Sequence, residues 1–287
     1  MSLPDEVRRH CAEVARTARS VRIDLNAATA TSGIAGLNAE QHFLEGSPEQ
    51  VARYVLVLDT INFGSGWFPT LRHGSTDAMT ERLTAFVRER GGASWWGPEL
   101  GTVSGADLAA VLDEDAVHPL MALFAQGLAQ LGAFAGERDA LEIIAAAGGS
   151  AARFAAQLAG GMAFFDDVGF FKRAQITAND LVLAGVVAFD DIDDLTVFAD
   201  NYLPHVLRLD GVLVLDDDLA ARIDRGELLE PGGPEERELR ACAVHACEAL
   251  AQRLAVPPRL LDNWLWNRGC EPAYLARPAH LSRTVFY

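Results

Sequence analysis

The chain has 287 residues, half of them hydrophobic, with 40 acidic against 24 basic side chains and a net charge of −16. A surface this acidic repels duplex phosphates and anionic membranes, so neither a duplex nucleic acid nor a membrane is expected as a partner. The longest apolar run, around Leu181 to Phe189, is too short to span a bilayer. The opening Met1-Ser2-Leu3-Pro4-Asp5-Glu6 has no basic n-region and no apolar h-region, so a cytoplasmic location is expected. Cys11, Cys242, Cys247 and Cys270 show neither a CxxC nor a Cys/His spacing, which reads as idle thiols in a reducing compartment.

Helical spacing runs along nearly the whole chain. Pro4-Asp5-Glu6 opens an amphipathic helix through Val7, Cys11, Val14 and Ala18. Ser47-Pro48-Glu49-Gln50 is a capping box with proline at the first helical position, and Val51, Tyr54, Val55, Leu58 and Ile61 stack on one face behind it. Ser104 starts a short helix; Leu120 to Ala133 and Asp139 to Ala147 follow, broken at Gly132 and Gly148-Gly149. Phe171 to Ala188 is expected to be helical, as is Leu195 to Tyr202 up to the interruption at Leu203-Pro204. Asp216 caps a helix ending near Asp224, and Glu235 to Leu254 and Arg259 to Arg268 complete the set. Trp95-Trp96 and Thr284 to Tyr287 are the only weak strand candidates. The reading is all-α, a single globular domain over 1–287.

Of the 24 basic residues, 23 are arginine and one is lysine, Lys172. In a chain that writes arginine almost everywhere, a lone lysine marks either chance or a place where a compact ammonium is required and a planar guanidinium is not.

Four segments look unlike ordinary packing. Asp59-Thr60-Ile61-Asn62-Phe63-Gly64-Ser65-Gly66-Trp67-Phe68-Pro69 ends an apolar helix in a glycine-rich turn. It is either a capped helix end with a packed Trp67 or a place where backbone approaches a ligand. Phe170-Phe171-Lys172-Arg173 sets two cations beside two aromatics, as a snorkelling pair or as a phosphate or carboxylate site. Asp200, shortly before Pro204, is either a helix cap or a buried catalytic acid. Asp262 and Trp266 share a helical face at i, i+4. No metal site is expected: His245 and Glu248 lack a second acid–histidine pair, and the runs at 190–194 and 216–218 lack the calcium-loop pattern. No GxSxG elbow is present.

Taken together, DTINF (59–63), FKRAQI (171–176), LTVFAD-xx-LP (195–204) and LDxxLW (261–266) resemble the queuosine salvage proteins, the queuosine 5′-phosphate N-glycosylases. The likeness extends roughly from His42 to Tyr287 and departs from the family pattern at Asn201-Tyr202 and Asn267. It implies hydrolysis of the N-glycosidic bond of queuosine 5′-monophosphate, giving queuine and ribose 5-phosphate, on a fold like that of helix-hairpin-helix DNA glycosylases, without a cofactor. By motif, Asp200 becomes the catalytic carboxylate and Lys172 a catalytic, substrate-site cation. His42, Phe198, Asp262 and Trp266 become candidates for holding the base.

The chemistry needs these residue types. Cleaving the C1′–N bond builds positive charge on the sugar, which a carboxylate stabilises while it aligns or deprotonates water. The leaving 7-deazaguanine lacks the N7 at which purines are ordinarily protonated, so help must come elsewhere on the ring. Lys172 with Arg173 would hold the 5′-phosphate. Phe63, Trp67, Phe198 and Trp266 are available for stacking, and Asp59, Asn62 or Asp262 for polar groups of the substrate. The rival readings are a base-excision DNA glycosylase, which the net charge disfavours, and a non-catalytic queuine- or nucleotide-binding module.

Overall fold

The computed structural model describes residues 1–27, 33 and 36–287, and its backbone is mostly helical. Helix α1 (Leu3–Thr17) and α2 (Pro48–Ile61) both carry proline within their first two residues, Pro4 and Pro48, behind complete capping boxes, Ser2/Asp5 and Ser47/Gln50. Then come α3 (Thr76–Glu89), α4 (Gly105–Leu112), α5 (Pro119–Ala135), α6 (Ala140–Ala145), α7 (Ala151–Gly161) and α8 (Lys172–Leu183). The C-terminal part holds α9 (Tyr202–Leu209), α10 (Asp217–Asp224), α11 (Pro234–Leu254), α12 (Pro258–Gly269) and α13 (Pro272–Leu275). Among the described residues the only strands are short. β1 (Val21–Ile23) pairs antiparallel with β2 (Leu213–Leu215), and β3 (Leu228–Leu229) pairs parallel with β4 (Leu281–Ser282).

α2 is the centre of the core. Tyr54 to Ile61 are buried without a break, and a helix apolar on every side belongs inside a fold. It packs against α5, α6 and α8, while α1 lies along α11, α7 along α8, and α12 along α9. α8 is largely buried too, but its buried residues include Lys172, Arg173, Gln175, Thr177 and Asn179. A polar face at the core of a helical protein is costly unless paired, and it marks where the site lies.

Three expectations change. Leu195 to Ala199 are buried and not helical, Leu195 being extended, and the helix that follows starts only at Tyr202. Thr196-Val197-Phe198 is a β-branched and aromatic run that suits extended backbone, and Pro204 fits the first turn of α9, where its missing N–H costs nothing. Trp95-Trp96 forms no strand, and the C-terminal pairing falls at Leu281–Ser282 rather than at 284–287. α8 ends at Leu183, short of Ala188, and Gly185 turns away with φ 71°. No helix among the described residues is long and apolar enough to cross a membrane.

Candidate active site

The four sequence motifs, far apart in the chain, bond directly to one another. Arg173 reaches from α8 to the end of α2, donating from Nη1 to Thr60 O at 2.6 Å and Asp59 O at 3.4 Å. Two residues on, the Gln175 amide clasps the Leu195–Ala199 segment: Nε2 donates to Thr196 Oγ1 at 3.0 Å, and Oε1 accepts from Thr196 N at 3.1 Å. From the far side, Asp262 Oδ1 on α12 accepts from Phe198 N at 2.8 Å. Arg240 Nε on α11 donates to Ala199 O at 2.9 Å. Such hydrogen bonds contribute about 0.5–3 kcal/mol each, the most where a charged group takes part, so Thr196, Phe198 and Ala199, just before Asp200, are held from two sides.

Asp200 is half-buried where that segment turns into α9. Its Oδ1 accepts from Tyr202 N at 2.8 Å and Leu203 N at 3.0 Å, capping the helix. No hydrogen bond to Oδ2 occurs among the described residues. Both readings of this carboxylate therefore hold: one oxygen caps α9, and the side chain lines a cavity of about 540 Å³ with Ser65, Phe68, Asp77, Tyr202 and Trp266. That volume falls in the range of small-molecule sites.

A cluster of buried charge adjoins it. Lys172 is 4% exposed, and among the described residues its ammonium makes no ion pair and no hydrogen bond. Its charge is felt by Asp59, Asp180 and Asp262, and lowers the pKa of each against burial. Burial dominates at all three: Asp59 and Asp262 are pushed well above the ordinary carboxylate range and Asp180 to about 7, while Asp200 repels Asp262 and adds to its rise. Asp59 is fully enclosed, with the Thr177 hydroxyl beside it, and among the described residues neither of its oxygens is held in a well-formed hydrogen bond. Native interiors rarely leave such groups unsatisfied.

The turn before Lys172 is held in an uncommon conformation. Phe171 has φ 49°, left-handed for a residue with a bulky side chain. Asp167 over-determines it, its carbonyl accepting from Phe170 N at 2.9 Å and Phe171 N at 2.7 Å. The Asp167 carboxylate is itself gripped by Arg240. Strain at a site persists where surroundings fix it, and here it sets the direction in which α8 presents its first side chain.

Several expected contacts are placed elsewhere. Arg173, expected to hold phosphate, is completely buried, and its other terminal nitrogen donates to Phe164 O and, at 2.7 Å, to Val285 O. Its guanidinium lies between the rings of Phe63 and Phe165, 4.6 Å from each centroid, and burial pulls its pKa down to about 9. It is a brace with no donor fork left over. Phe63, expected to stack on a base, is a core ring set edge-on to Phe124 and Phe164. Trp67 is also buried, under Arg283, while its neighbours Ser65, Phe68 and Pro69 line the cavity. The Gly-rich turn serves the C-terminal segment: a Cβ on Gly66 would stand 2.3 Å from Ser282 O, and Gly64 N donates to Tyr287 O. Asn62 ends α2 and is not a cavity residue.

Phe198 is enclosed and contributes its backbone N–H to Asp262. His42, half-buried, bonds Asn38 O through Nδ1 and feels the charge of Asp77, which lies on the cavity wall. Trp266 stays 37% exposed on that wall, so the i, i+4 pairing puts Asp262 inward and Trp266 outward toward the cavity. Sequence reasoning did not name Ser65, Phe68, Asp77, Tyr202 and Cys270, all lining residues, as site residues, although Ser65 and Phe68 lie in the glycine-rich segment it singled out. Ser75-Thr76-Asp77 carries the signal of a helix start, which names a cap but not a cavity.

Among the described residues, no group of three or more His, Cys, Asp or Glu side chains is arranged to hold a metal ion. A helical protein with a capped carboxylate on a cavity wall, backed by an enclosed acid–ammonium cluster, has the layout of a small-molecule site built for charge development. Comparison with known proteins names the family. The model of the queuosine salvage protein family matches residues 99–287. A queuosine 5′-phosphate N-glycosylase/hydrolase of Sphaerobacter thermophilus is 33% identical over 276 residues, covering 87% of this chain and 85% of that one. Relatives of the same description from Mus musculus (32% over 138 residues, 42% of this chain and 41% of that one) and Schizosaccharomyces pombe (37% over 82 residues, 28% and 24%) match shorter stretches. The chain belongs to the queuosine salvage protein family.

Proposed function

We propose that this chain hydrolyses the N-glycosidic bond of queuosine 5′-phosphate, releasing queuine and ribose 5-phosphate, and that a single domain carries the activity. The relatives' descriptions support this substrate. The observation that carries the reading is the direct bonding of all four motifs around Asp200. Water attacks C1′ as the C1′–N bond breaks, and the bonding electrons leave with the base. Asp200 uses Oδ1 to cap α9, which orients Oδ2 to stabilise the oxocarbenium-like sugar and to take a proton from the attacking water. Lys172 is the cation of the site, because both terminal nitrogens of Arg173 are engaged with carbonyl oxygens. Its ammonium serves the charge that develops on a base without N7. Trp266 offers the exposed ring on the cavity wall, and His42 and Asp262 stand behind it, within the electrostatic reach of the wall residues Asp77 and Asp200.

The test is incubation with queuosine 5′-phosphate and chromatography of the products. The expected result is equimolar queuine and ribose 5-phosphate. Asp200→Asn keeps a side-chain oxygen for the α9 cap, so its melting temperature should stay close to wild type while turnover falls about 10²–10³-fold. Tight binding without release would make the protein a carrier, and base release from duplex DNA would favour the base-excision reading.

A further inference from the structure

We propose that Asp77 is the specificity-determining residue of the site: its carboxylate pairs with the cationic aminomethyl side chain by which queuine differs from guanine. This rests on the hydrolysis proposed above and deepens it by naming what selects that nucleotide.

The cavity wall is one-sided in charge. Its lining includes two carboxylates, Asp77 and Asp200, and no lysine or arginine. Asp200 has one oxygen in the α9 cap and the other facing the reaction proposed above. The fold gives Asp77 no such work. It stands in the first turn of α3, yet Ser75 is the cap there, its hydroxyl accepting from Ala78 N at 3.1 Å. Among the described residues the Asp77 carboxylate makes no hydrogen bond and no ion pair.

The titratable groups that act on it are Glu81, one turn along α3, which repels it, and His42, which attracts it. Tyr202 and Cys270, both on the cavity wall, feel its charge, and Tyr202 feels that of Asp200 as well. The two carboxylates therefore serve one space. Burial first, and Glu81 next, raise the Asp77 pKa above its ordinary value, as befits an acid without a cation beside it.

Queuosine 5′-phosphate brings that cation. Its ring presents the same pyrimidine edge as guanine, and its phosphate is that of GMP, so neither separates the two nucleotides. The substituent at C7 does: it is a secondary alkylamine bearing a cyclopentenediol, protonated at neutral pH as a lysine amine is. A carboxylate on a wall without cations gains a charge-assisted hydrogen bond from this ammonium. GMP would leave the same carboxylate covered and unpaired, so the wrong ligand is penalised as well as the right one favoured. With Asp200 at the sugar and Asp77 at the C7 side chain, the base lies between them beside the exposed ring of Trp266. No bond is made or broken at Asp77; its part is binding.

The experiment crosses Asp77→Asn with removal of the amine from the ligand. Hydrolysis of queuosine 5′-phosphate is compared with that of 7-deazaguanosine 5′-phosphate, and calorimetric binding of queuine with that of 7-deazaguanine. Asp77 is exposed and Ser75 keeps the cap, so the variant should melt close to wild type. Wild type should bind queuine about tenfold or more tighter than 7-deazaguanine, and Asp77→Asn should erase most of that preference. In turnover, the preference for queuosine 5′-phosphate in kcat/KM should collapse by a similar factor, through KM rather than kcat. Equal affinity of wild type for the two bases, a variant that keeps the wild-type preference, or losses equal on both ligands would each overturn the assignment. Wild type that binds queuine with this Asp77-dependent preference yet releases no base from the nucleotide would instead defeat the hydrolysis reading, so the two failures are distinguishable.

Discussion

Arg240 and Lys172 are both almost wholly buried, and their surroundings could hardly differ more. Arg240 is bridged to Asp167 and to Glu236, donates to Ala199 O, and sits between the rings of Phe170 and Tyr287, at 3.9 and 4.4 Å from their centroids. Every face of its guanidinium has a partner. The Lys172 ammonium has carboxylates in its field and, among the described residues, an ion pair with none of them. The guanidinium fork suits a fixed set of acceptors, whereas a compact ammonium on a flexible stem can serve a group that arrives and leaves. In this protein a buried charge with a full set of partners is architecture, and one without them marks the site.

The strongest test of the architectural half is Arg240→Met. It strands Asp167 and Glu236, both nearly inaccessible, without their cation. Breaking a buried pair from one side costs about 3–5 kcal/mol, because the remaining charge stays desolvated. Urea unfolding should show a loss of that size, and a change of under about 1 kcal/mol would show that Arg240 is not a keystone.

The functional half is tested by Lys172→Arg, which keeps the charge and changes its shape. With no fixed acceptors to satisfy, the wider guanidinium would displace the substrate or crowd the acids, and a displacement of about 1 Å can cost on the order of 10²-fold in rate. Melting temperature should change little. Arg173→Lys should do the reverse, lowering stability through lost carbonyl contacts while turnover per folded molecule is largely kept. A wild-type rate for Lys172→Arg would make the lone lysine an accident of composition.

How far the sequence announced this contrast depends on what each signal encodes. Helical periodicity and capping boxes are local, and so α1 and α2 were readable with their first residues. The non-helical path of Leu195–Ala199 is decided by Gln175, Asp262 and Arg240, which are distant in sequence, and the apolar run there fits helix or strand equally. At the site, Asp200, Lys172, Asp262 and Trp266 stood out through residue type and motif. The opposite uses of neighbours Lys172 and Arg173 were not visible, since a string of letters does not say which cation meets carbonyls. Phe63 and Trp67 misled for the same reason, because an aromatic beside a glycine turn packs inward as readily as it stacks on a ligand.

The smallest expected effect concerns what the unpaired cluster costs the fold, and it has a sign. The folded-state pKa of Asp59 is raised above its unfolded value of 3.8, chiefly by burial and next by Asp180, with Lys172 opposing. Between those two values the folded chain binds a proton that the unfolded chain has released. The stability linked to this group is therefore fully present below pH 3.8 and is lost as pH rises toward and through the folded-state value. Asp59→Asn removes the titration while keeping the shape, so the variant should gain on wild type as pH rises, by at most about 1.4 kcal/mol per pH unit for one proton. Unfolding free energies measured in urea at a series of pH values from about 4 to 8 would show the two curves diverging toward neutral pH. Parallel curves would mean that Asp59 is already ionised in the folded chain. Lys172 would then have a counter-ion after all, and the division between paired arginines and an unpaired lysine would fail.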